Sequence, residues 1–264
     1  MSETVIVGIG QLGGVFAKGL LRMGETVVPV VRGQSLTEVA ERHATPRAVL
    51  VAVGEGDLGD VLSEFPPSWR GDVALLQNEL LPSDWESKGI ETATMAIVWF
   101  EKKAARVIRE IRPTVVGGAH AEHFAQALGE LGLSTQVVTT DAELRHEMVV
   151  KNLYILVSNI CGLRVGGTVG ILWSEHRDLA ERVAHEVLSV QAARLSGAAI
   201  NSERAIAEMG EAFLADPEHG CMGRSAPSRL NRLLAQGAES GLELPLVNQI
   251  AQERSAVDLG EALG

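Results

Sequence analysis

The sequence predicts an α/β fold in which a doubly wound sheet over residues 1–139 is followed by an all-helical domain over residues 140–264. Three observations predict it. Residues 4–32 read as strand, glycine turn, helix and second strand; short apolar runs then alternate with helical stretches as far as Val138; and from Thr140 onward helix follows helix. Alternation of the first kind builds a sheet with helices on both faces, whereas an uninterrupted series of helices must bury its apolar stripes against itself.

In the first unit, residues 5–7 form the strand and the helix after it carries Phe16, Ala17, Leu20 and Leu21 on one face; a second apolar strand ends at Arg32. Residues 36–42 suit a short helix. Residues 48–53, all Ala, Val or Leu, form a continuous apolar run of the kind buried on both faces of a parallel sheet. Residues 58–62 suit a helix, and 73–76 the next buried strand. From 95 to 118 the pattern changes to an apolar run at 97–100, a partly alternating stretch at 106–112 and a third run at 114–117, which predicts strands with one wet face. A helix over 120–131 and a last strand over 135–138 complete the domain.

Thr140-Asp-Ala-Glu143 has the spacing of a capping box, in which a threonine and a glutamate satisfy the first free N–H groups of a helix. The helices expected beyond it cover 144–163, 174–195, 202–214, 227–239 and the stretch from 245 onward. Pro227 and Pro245 suit first turns, where a missing N–H costs nothing, and Gly241 suits a stop.

With 264 residues and 46% apolar side chains, the chain can build two cores or one large one. Its net charge of −11 disfavours a nucleic-acid backbone or an anionic membrane as partner. The two cysteines, Cys161 and Cys221, are far apart in sequence and in no metal-ligand spacing, so neither a disulfide framework nor a zinc site is expected, and a reducing cytoplasm fits. The chain enters a strand without a basic leader or cleavage site, so no export signal is expected. Asn159, Arg164 and several glycines interrupt the longest apolar stretch, so no membrane span is expected. His120-Ala-Glu-His123 lacks the spacing of zinc helices and has no third ligand, and is read as solvated helix residues.

The chemistry-bearing motif is Gly8-x-Gly10-x-x-Gly13, following a strand and opening a helix. In a dinucleotide fingerprint the first glycine turns the chain off the strand, the second lets backbone approach a pyrophosphate, and the third lets helix and strand pack closely. The phosphates then sit on free N–H groups at the helix start, here those around Gln11 and Leu12. A glycine turn with a purely structural role is the alternative. An NAD site usually ends its second strand in Asp or Glu, and an NADP site in a cation. Arg32 stands there, with no acid until Glu38, which favours NADP(H); otherwise Arg32 is a solvated strand-end charge. The default ligand site is the cleft between the two domains.

Three features in order, the glycine motif with Arg32, Gln77-Asn78 after a sheet strand, and Lys151 opening a long helix with Asn159 eight residues on, resemble the ketopantoate reductase (2-dehydropantoate 2-reductase) family. Gly241-Leu-Glu-Leu-Pro245 is similar to that family's closing Gly-Ile-x-x-Pro. The resemblance covers nearly the whole chain and implies an NADP-binding Rossmann domain (1–139), a helical substrate or dimerisation domain (140–264), and reduction of a 2-oxo acid by NADPH. It matches Asn78 to an asparagine beside the nicotinamide, Lys151 to the lysine that protonates the forming alkoxide, and Asn159 to a second asparagine of the lysine helix. The chemistry agrees: hydride arriving at a carbonyl leaves charge on oxygen, and a lysine can both stabilise that charge and surrender a proton, which an arginine cannot. At about 100° and 1.5 Å per residue, Asn159 lies roughly 80° around and 12 Å along the helix from Lys151. A surface lysine and a buried structural asparagine are the alternatives.

The departures fall on the substrate half. Ile155 stands where the helix should carry its first asparagine, Glu79 follows Asn78 in place of glycine, and Gly54 replaces a lysine after the third strand. The family's serine-rich stretch and following Thr-Glu have no clear counterpart in residues 218–227, where His219, Arg224 and Ser225 are the candidate substrate contacts; a surface charge and a helix cap are the plainer readings of the last two. The expected partners are a small acidic carbonyl compound and, left open, a second copy of the chain in a homodimer. A catalytically inactive NADP(H)-binding redox sensor or scaffold is the second reading, and a Cys221/His219 nucleophilic pair a distant third.

Overall fold

The computed structural model describes residues 2–76, 78–103, 106–195 and 199–263, of which 257–263 as backbone alone. The described residues form two compact units, Met1–Glu147 and Met148–Gly264.

In the first unit a seven-stranded sheet is built from β1 (Glu3–Val7), β2 (Thr26–Val30), β3 (Ala48–Val51), β4 (Val73–Leu75), β5 (Thr94–Ile97), β8 (Thr114–Gly117) and β9 (Thr135–Val138), in the order β2-β1-β3-β4-β5-β8-β9. Strands β2 to β5 run parallel, β8 pairs antiparallel with β5, and β9 pairs parallel with β8. Strands β3, β4, β5 and β8 are buried along their whole length, as continuous apolar runs require. β2 lies at the edge, where Pro29 costs no ladder hydrogen bond. It stops at Val30, so Arg32 stands in the turn beyond it. The wet stretch expected over 106–112 contracts to β7 (Arg109–Glu110), paired with β6 (Phe100–Glu101) in a separate two-stranded hairpin. Arg106, Arg109 and Glu110 are exposed, while Ile108 packs against the core and Arg112 lies over the Trp99 ring at 5.0 Å.

Helix α1 (Gln11–Arg22) and helix α5 (Ala121–Gly129) cover one sheet face. Val15, Phe16 and Leu20 of α1 join Phe124 and Leu128 of α5 over Ile6, Leu50, Ala74, Ala96 and Val116, every second residue of the strands beneath. Phe16 and Phe124 meet edge to face at 5.9 Å. Gly19 makes the crossing possible, since a Cβ there would lie 2.0 Å from the Ala127 carbonyl oxygen. Leu21, expected on the buried face, is instead 60% exposed: one residue beyond Leu20 it has turned about 100° away from α5. Helices α2 (Leu36–Arg42), α3 (Glu55–Ser63) and α4 (Pro82–Glu86) complete the unit.

Helix α6 (Asp141–Val165) opens on half of the expected capping box: the Glu143 N–H donates to Thr140 Oγ1 at 3.3 Å, but Glu143 Oε2 accepts from the Thr140 hydroxyl at 2.8 Å rather than from its N–H. The division between the units falls inside this helix. By length and composition alone α6 is apolar enough to cross a membrane, but 78% of its apolar window is buried within the chain, which makes it a core helix. Around it in the second unit stand α7 (Val169–Glu175), α8 (Arg177–Arg194), α9 (Ser202–Ala215), α10 (Ala226–Glu239) and α11 (Pro245–Leu263). The single helix expected over 174–195 is two: Thr168 caps α7 five residues earlier than expected, and His176, at φ −127°, ends α7 and begins α8. Across the packed helices, Gln191 donates to Asn152 Oδ1 at 2.8 Å, and Glu186 accepts from the N–H groups of Leu246 and Val247 at 2.9 and 3.0 Å, capping α11 from α8.

His120 and His123 are not the solvated pair expected. His120 is partly buried and lies 3.1 Å from Asp72 Oδ1. His123 is buried, with Nε2 at 3.1 Å from Thr4 Oγ1 and 3.7 Å from Glu25, because α5 packs that face onto β1. Desolvation holds the His123 imidazole below its ordinary value against the opposing pull of Glu25. The unfolded chain therefore takes up a proton near pH 6.5, about the ordinary value, that the folded chain resists. The stability His123 contributes is complete above that pH and is lost as pH falls through the lower folded value. Thermal melts between about pH 7.5 and 5 should show this acid limb, and His123→Gln should flatten it. An unaltered slope in the variant would place the sensitivity elsewhere.

Candidate functional site

The turn from β1 into α1 is shaped by what cannot fit there. Gly8 adopts φ +95°, and a Cβ on it would lie 2.8 Å from the Ala52 carbonyl oxygen; a Cβ on Gly13 would lie 2.1 Å from the carbonyl oxygen of Gly8. Strand, turn and helix thus touch through backbone. Gly10, by contrast, has nothing within 4 Å of its missing Cβ, so open space lies before it. It is the N-cap of α1, no side chain caps that end, and no acid occupies the first turn. Gln11, exposed, and Leu12, half-buried, are the first residues of the helix. Backbone N–H groups and the positive end of a helix, with room in front, are the features by which a helix start can cradle an anion.

A cavity of about 510 Å³ adjoins the cradle, running from Gly8 and Gly10 past Val31 and Arg32 to Val53 and Asp57. Ile9 and Val31 leave apolar surface at its wall, 40% and 52% exposed, which suits a flat ring. Arg32 is exposed and its Nη2 donates to Asp57 Oδ2 at 2.6 Å. On the other side of the cradle a second cavity, of about 710 Å³, reaches Gly10 and Gln11 and is walled in part by Lys18, Lys102 and Arg106. The sequence reading missed these three cations. Lys18 was legible as the residue two turns below Gln11 on one helix face; the other two lie on the hairpin, whose position follows from tertiary packing alone.

Asn78 follows β4 and is half-buried, while Gln77 lies outside the described residues. Because β1 to β4 are parallel, Gly8, Gly10, Gln11, Leu12, Gly13, Arg32 and Asn78 all gather at the carboxyl edge of the sheet, where open α/β sheets bind ligands.

In the second unit Lys151 is 7% exposed, and every residue from Met148 to Gly162 is buried except the half-buried Ile155. Its Nζ lies 5.4 Å from the centre of the Tyr154 ring, one helical turn on. Tyr154 packs on Phe213 at 5.0 Å and lies 6.4 Å from the His219 ring, whose Nδ1 is 3.6 Å from the buried Asp216. Backbone bonds fix the loop carrying His219: Val169 N–H to the His219 carbonyl at 2.8 Å, Gly170 to Pro217 at 2.9 Å and Cys221 to Gly167 at 3.0 Å. Lys151, Tyr154, His219 and Asp216 are therefore contiguous. Tyr154 and Asp216 were not singled out from sequence, although each stands three residues from a candidate, Lys151 or His219.

Asn159 is buried with its amide engaged, donating to the Ile155 carbonyl at 2.8 Å and accepting from the Gly223 N–H at 3.4 Å. It ties the loop to α6. Arg224 and Ser225 are exposed on the far end of that loop. Ser225 is the N-cap of α10, but its side chain makes no capping bond. The nucleophilic pairing of Cys221 with His219 is overturned: Cys221 is 1% exposed and burial pushes its thiol up to about 11, which keeps it protonated. Burial and the neighbouring Cys221 push Cys161 higher still.

A mostly parallel sheet with a glycine turn at its carboxyl edge, followed in the chain by a helical unit, defines a Rossmann-like fold. Solved structures give it a more particular form. The chain matches a dimeric ketopantoate reductase from Staphylococcus aureus at 16% identity over 98% of this chain and 99% of that one, with a TM-score of 0.61. A ketopantoate reductase from Ralstonia eutropha JMP134 matches at 16% identity over 98% and 99%, with a TM-score of 0.63. A D-mandelate dehydrogenase solved with NADH and anilino(oxo)acetate matches at 14% identity over 96% and 97%, with a TM-score of 0.66. No family model matches the chain, and no curated protein matches its sequence. The chain has the ketopantoate reductase fold at low sequence identity.

Two glycines separate geometry from composition. Gly13→Ala must displace backbone and should cost about 3 kcal/mol, whereas Gly14→Ala, with nothing within 4 Å of its Cβ, should be tolerated or stabilise the helix by about 0.5–1 kcal/mol. Thermal denaturation of the two variants checks this; equal losses would mean that the turn relaxes freely.

Proposed function

We propose that the protein is an NADP(H)-dependent oxidoreductase that reduces a 2-oxo acid or related carbonyl compound. The observation that carries the reading is the occurrence, in one chain of this fold, of an uncapped glycine cradle and a lysine buried on a core helix. Gly8, Gly10 and Gly13 shape the cradle, the N–H groups around Gln11 and Leu12 would hold the pyrophosphate, and Arg32 would meet a 2′-phosphate. A bound reduced nicotinamide supplies the hydride. Asn78, at the end of β4, would orient the reacting ring, and Lys151 would give a proton to the alkoxide forming on the substrate. The exchangeable proton of a lysine is the property that an arginine there would lack. His219, Arg224 and Ser225 would contact the substrate's acid group, and Asn159 would hold their loop. Two free, buried cysteines fit a reducing cytoplasm. The likeness to a dimeric reductase supports a homodimer.

A non-catalytic NADP(H) sensor or scaffold is the second reading, favoured by the Asn159 amide being spent on its own helix and loop. NADPH oxidation against a panel of 2-oxo acids separates the two. Cofactor binding with no turnover across the panel would select the sensor.

With a substrate in hand, Lys151→Ala should leave NADPH affinity nearly unchanged and lower turnover by roughly two orders of magnitude. Lys151→Met, which keeps the buried stem, should lose as much; normal turnover in either variant would return Lys151 to a packing role. Arg224→Ala should raise KM for an acidic substrate by about tenfold while sparing NADPH binding, because a guanidinium paired with a carboxylate acts on ground and transition states alike. An unchanged KM would put the carboxylate elsewhere.

A further inference from the structure

Arg32 is not isolated at the end of β2. Its guanidinium is bonded to Asp57, from the first turn of α3, at 2.6 Å, with the two side chains 88% and 53% exposed. Asp57 reaches back along the end of β3: a Cβ on Gly54 would meet its Oδ2 at 3.8 Å. The charged side chains that line this cavity are Arg32, Asp57, Asp60 and Glu64, one cation against three carboxylates. Arg32 therefore enters the cavity partnered and outnumbered.

A nucleotide with a bare ribose and one with a 2′-phosphate meet different walls here. The phosphate needs the guanidinium and must draw it from Asp57 while lying near that carboxylate; a 2′-hydroxyl finds in Asp57 an ionised acceptor of the type that NAD sites place at the end of their second strand. An exposed ion pair is weak, so Asp57 tilts the choice without closing it. We propose that Asp57 is a specificity-determining residue that narrows the preference for NADPH over NADH, by occupying Arg32 and by offering its carboxylate to a ribose hydroxyl. The inference rests on the nucleotide-site reading above and adds to it the residue that sets the margin.

Equilibrium titrations of NADPH and NADH by quenching of protein fluorescence need no turnover. They are to be made on the full chain and on Asp57→Asn, Asp60→Asn and Arg32→Gln, with a melting curve for each. Asp57→Asn should tighten NADPH about three- to tenfold and loosen NADH, and the gain should shrink as salt rises. Combined with Arg32→Gln, the same substitution should tighten NADPH by a smaller factor than it does alone, the mark of an effect exerted in part through the pair. Asp60→Asn, whose carboxylate is not on Arg32, should move the ratio of the two affinities less than twofold. A ratio unchanged by Asp57→Asn, or moved as far by Asp60→Asn, would overturn the assignment. Failure of the unsubstituted chain to bind either cofactor would overturn the nucleotide-site reading itself.

Discussion

The contact between the Gly8 carbonyl and the Cα of Gly13 is the constraint from which the first unit is built. With 2.1 Å between that oxygen and any Cβ at position 13, the first turn of α1 can press against the end of β1 only if residue 13 lacks a side chain. The same closeness seats Gly8 against Ala52, so the turn is also the junction of β1 with the end of β3. Because α1 is aimed by that turn, its Gly19 reaches Ala127 and fixes α5, and Phe16 and Leu20 close the sheet face beneath. Packing and ligand geometry are one requirement here: the glycines that let the helix begin so close to the strand also leave its first N–H groups facing open space.

The second unit depends on a different constraint. A helix buried from Met148 to Gly162 must satisfy each polar group it carries from within the protein. Asn152 does so through Gln191 of α8, and Asn159 through its own carbonyl at Ile155 and the loop at Gly223. Both amides therefore act as fastenings, which explains asparagines in a core without invoking a ligand. Lys151 packs against an aromatic face, its Nζ 5.4 Å from the centre of the Tyr154 ring, on the same buried stretch.

Most elements were legible because each rests on local periodicity or punctuation. The βαβ unit, α2, the buried runs of β3 and β4, β9, the cap at Thr140 and the positive φ of Gly241 at +67° all follow from residues within one turn or strand. What was not legible depends on partners far away in sequence. Leu21 and Leu20 are equally apolar, and only the position of α5 decides which is buried. His123 reads as a polar helix residue until β1 brings Thr4 beneath it. The break at His176 depends on Thr168 starting a helix earlier than the apolar pattern suggests. At the candidate site the glycines, Arg32 and Lys151 could be named from spacing and resemblance. Asp57, on a helix expected only from residue 58, could not, since nothing in its neighbourhood points to position 32.

Net charge then proves a poor guide to the field at the cradle. A chain of charge −11 would repel an anion if all its charges acted together, but beyond a Debye length of about 8 Å at physiological salt they are largely screened. The two cavities that reach the cradle differ in the balance of their charges. Lys18, Lys102 and Arg106 with the single carboxylate of Glu110 wall the one that reaches Gly10 and Gln11, while three carboxylates oppose Arg32 in the cavity beyond Val31. A pyrophosphate at the start of α1 would be attracted by both helix and cations, whereas the group on the neighbouring ribose would meet a mostly acidic wall. A bound nicotinamide nucleotide would thus have its shared phosphates favoured more strongly than the 2′-phosphate that tells the two apart. On the proposed reading, the geometry of the turn would serve the shared pyrophosphate, and discrimination would be left to the exposed pair of Arg32 and Asp57.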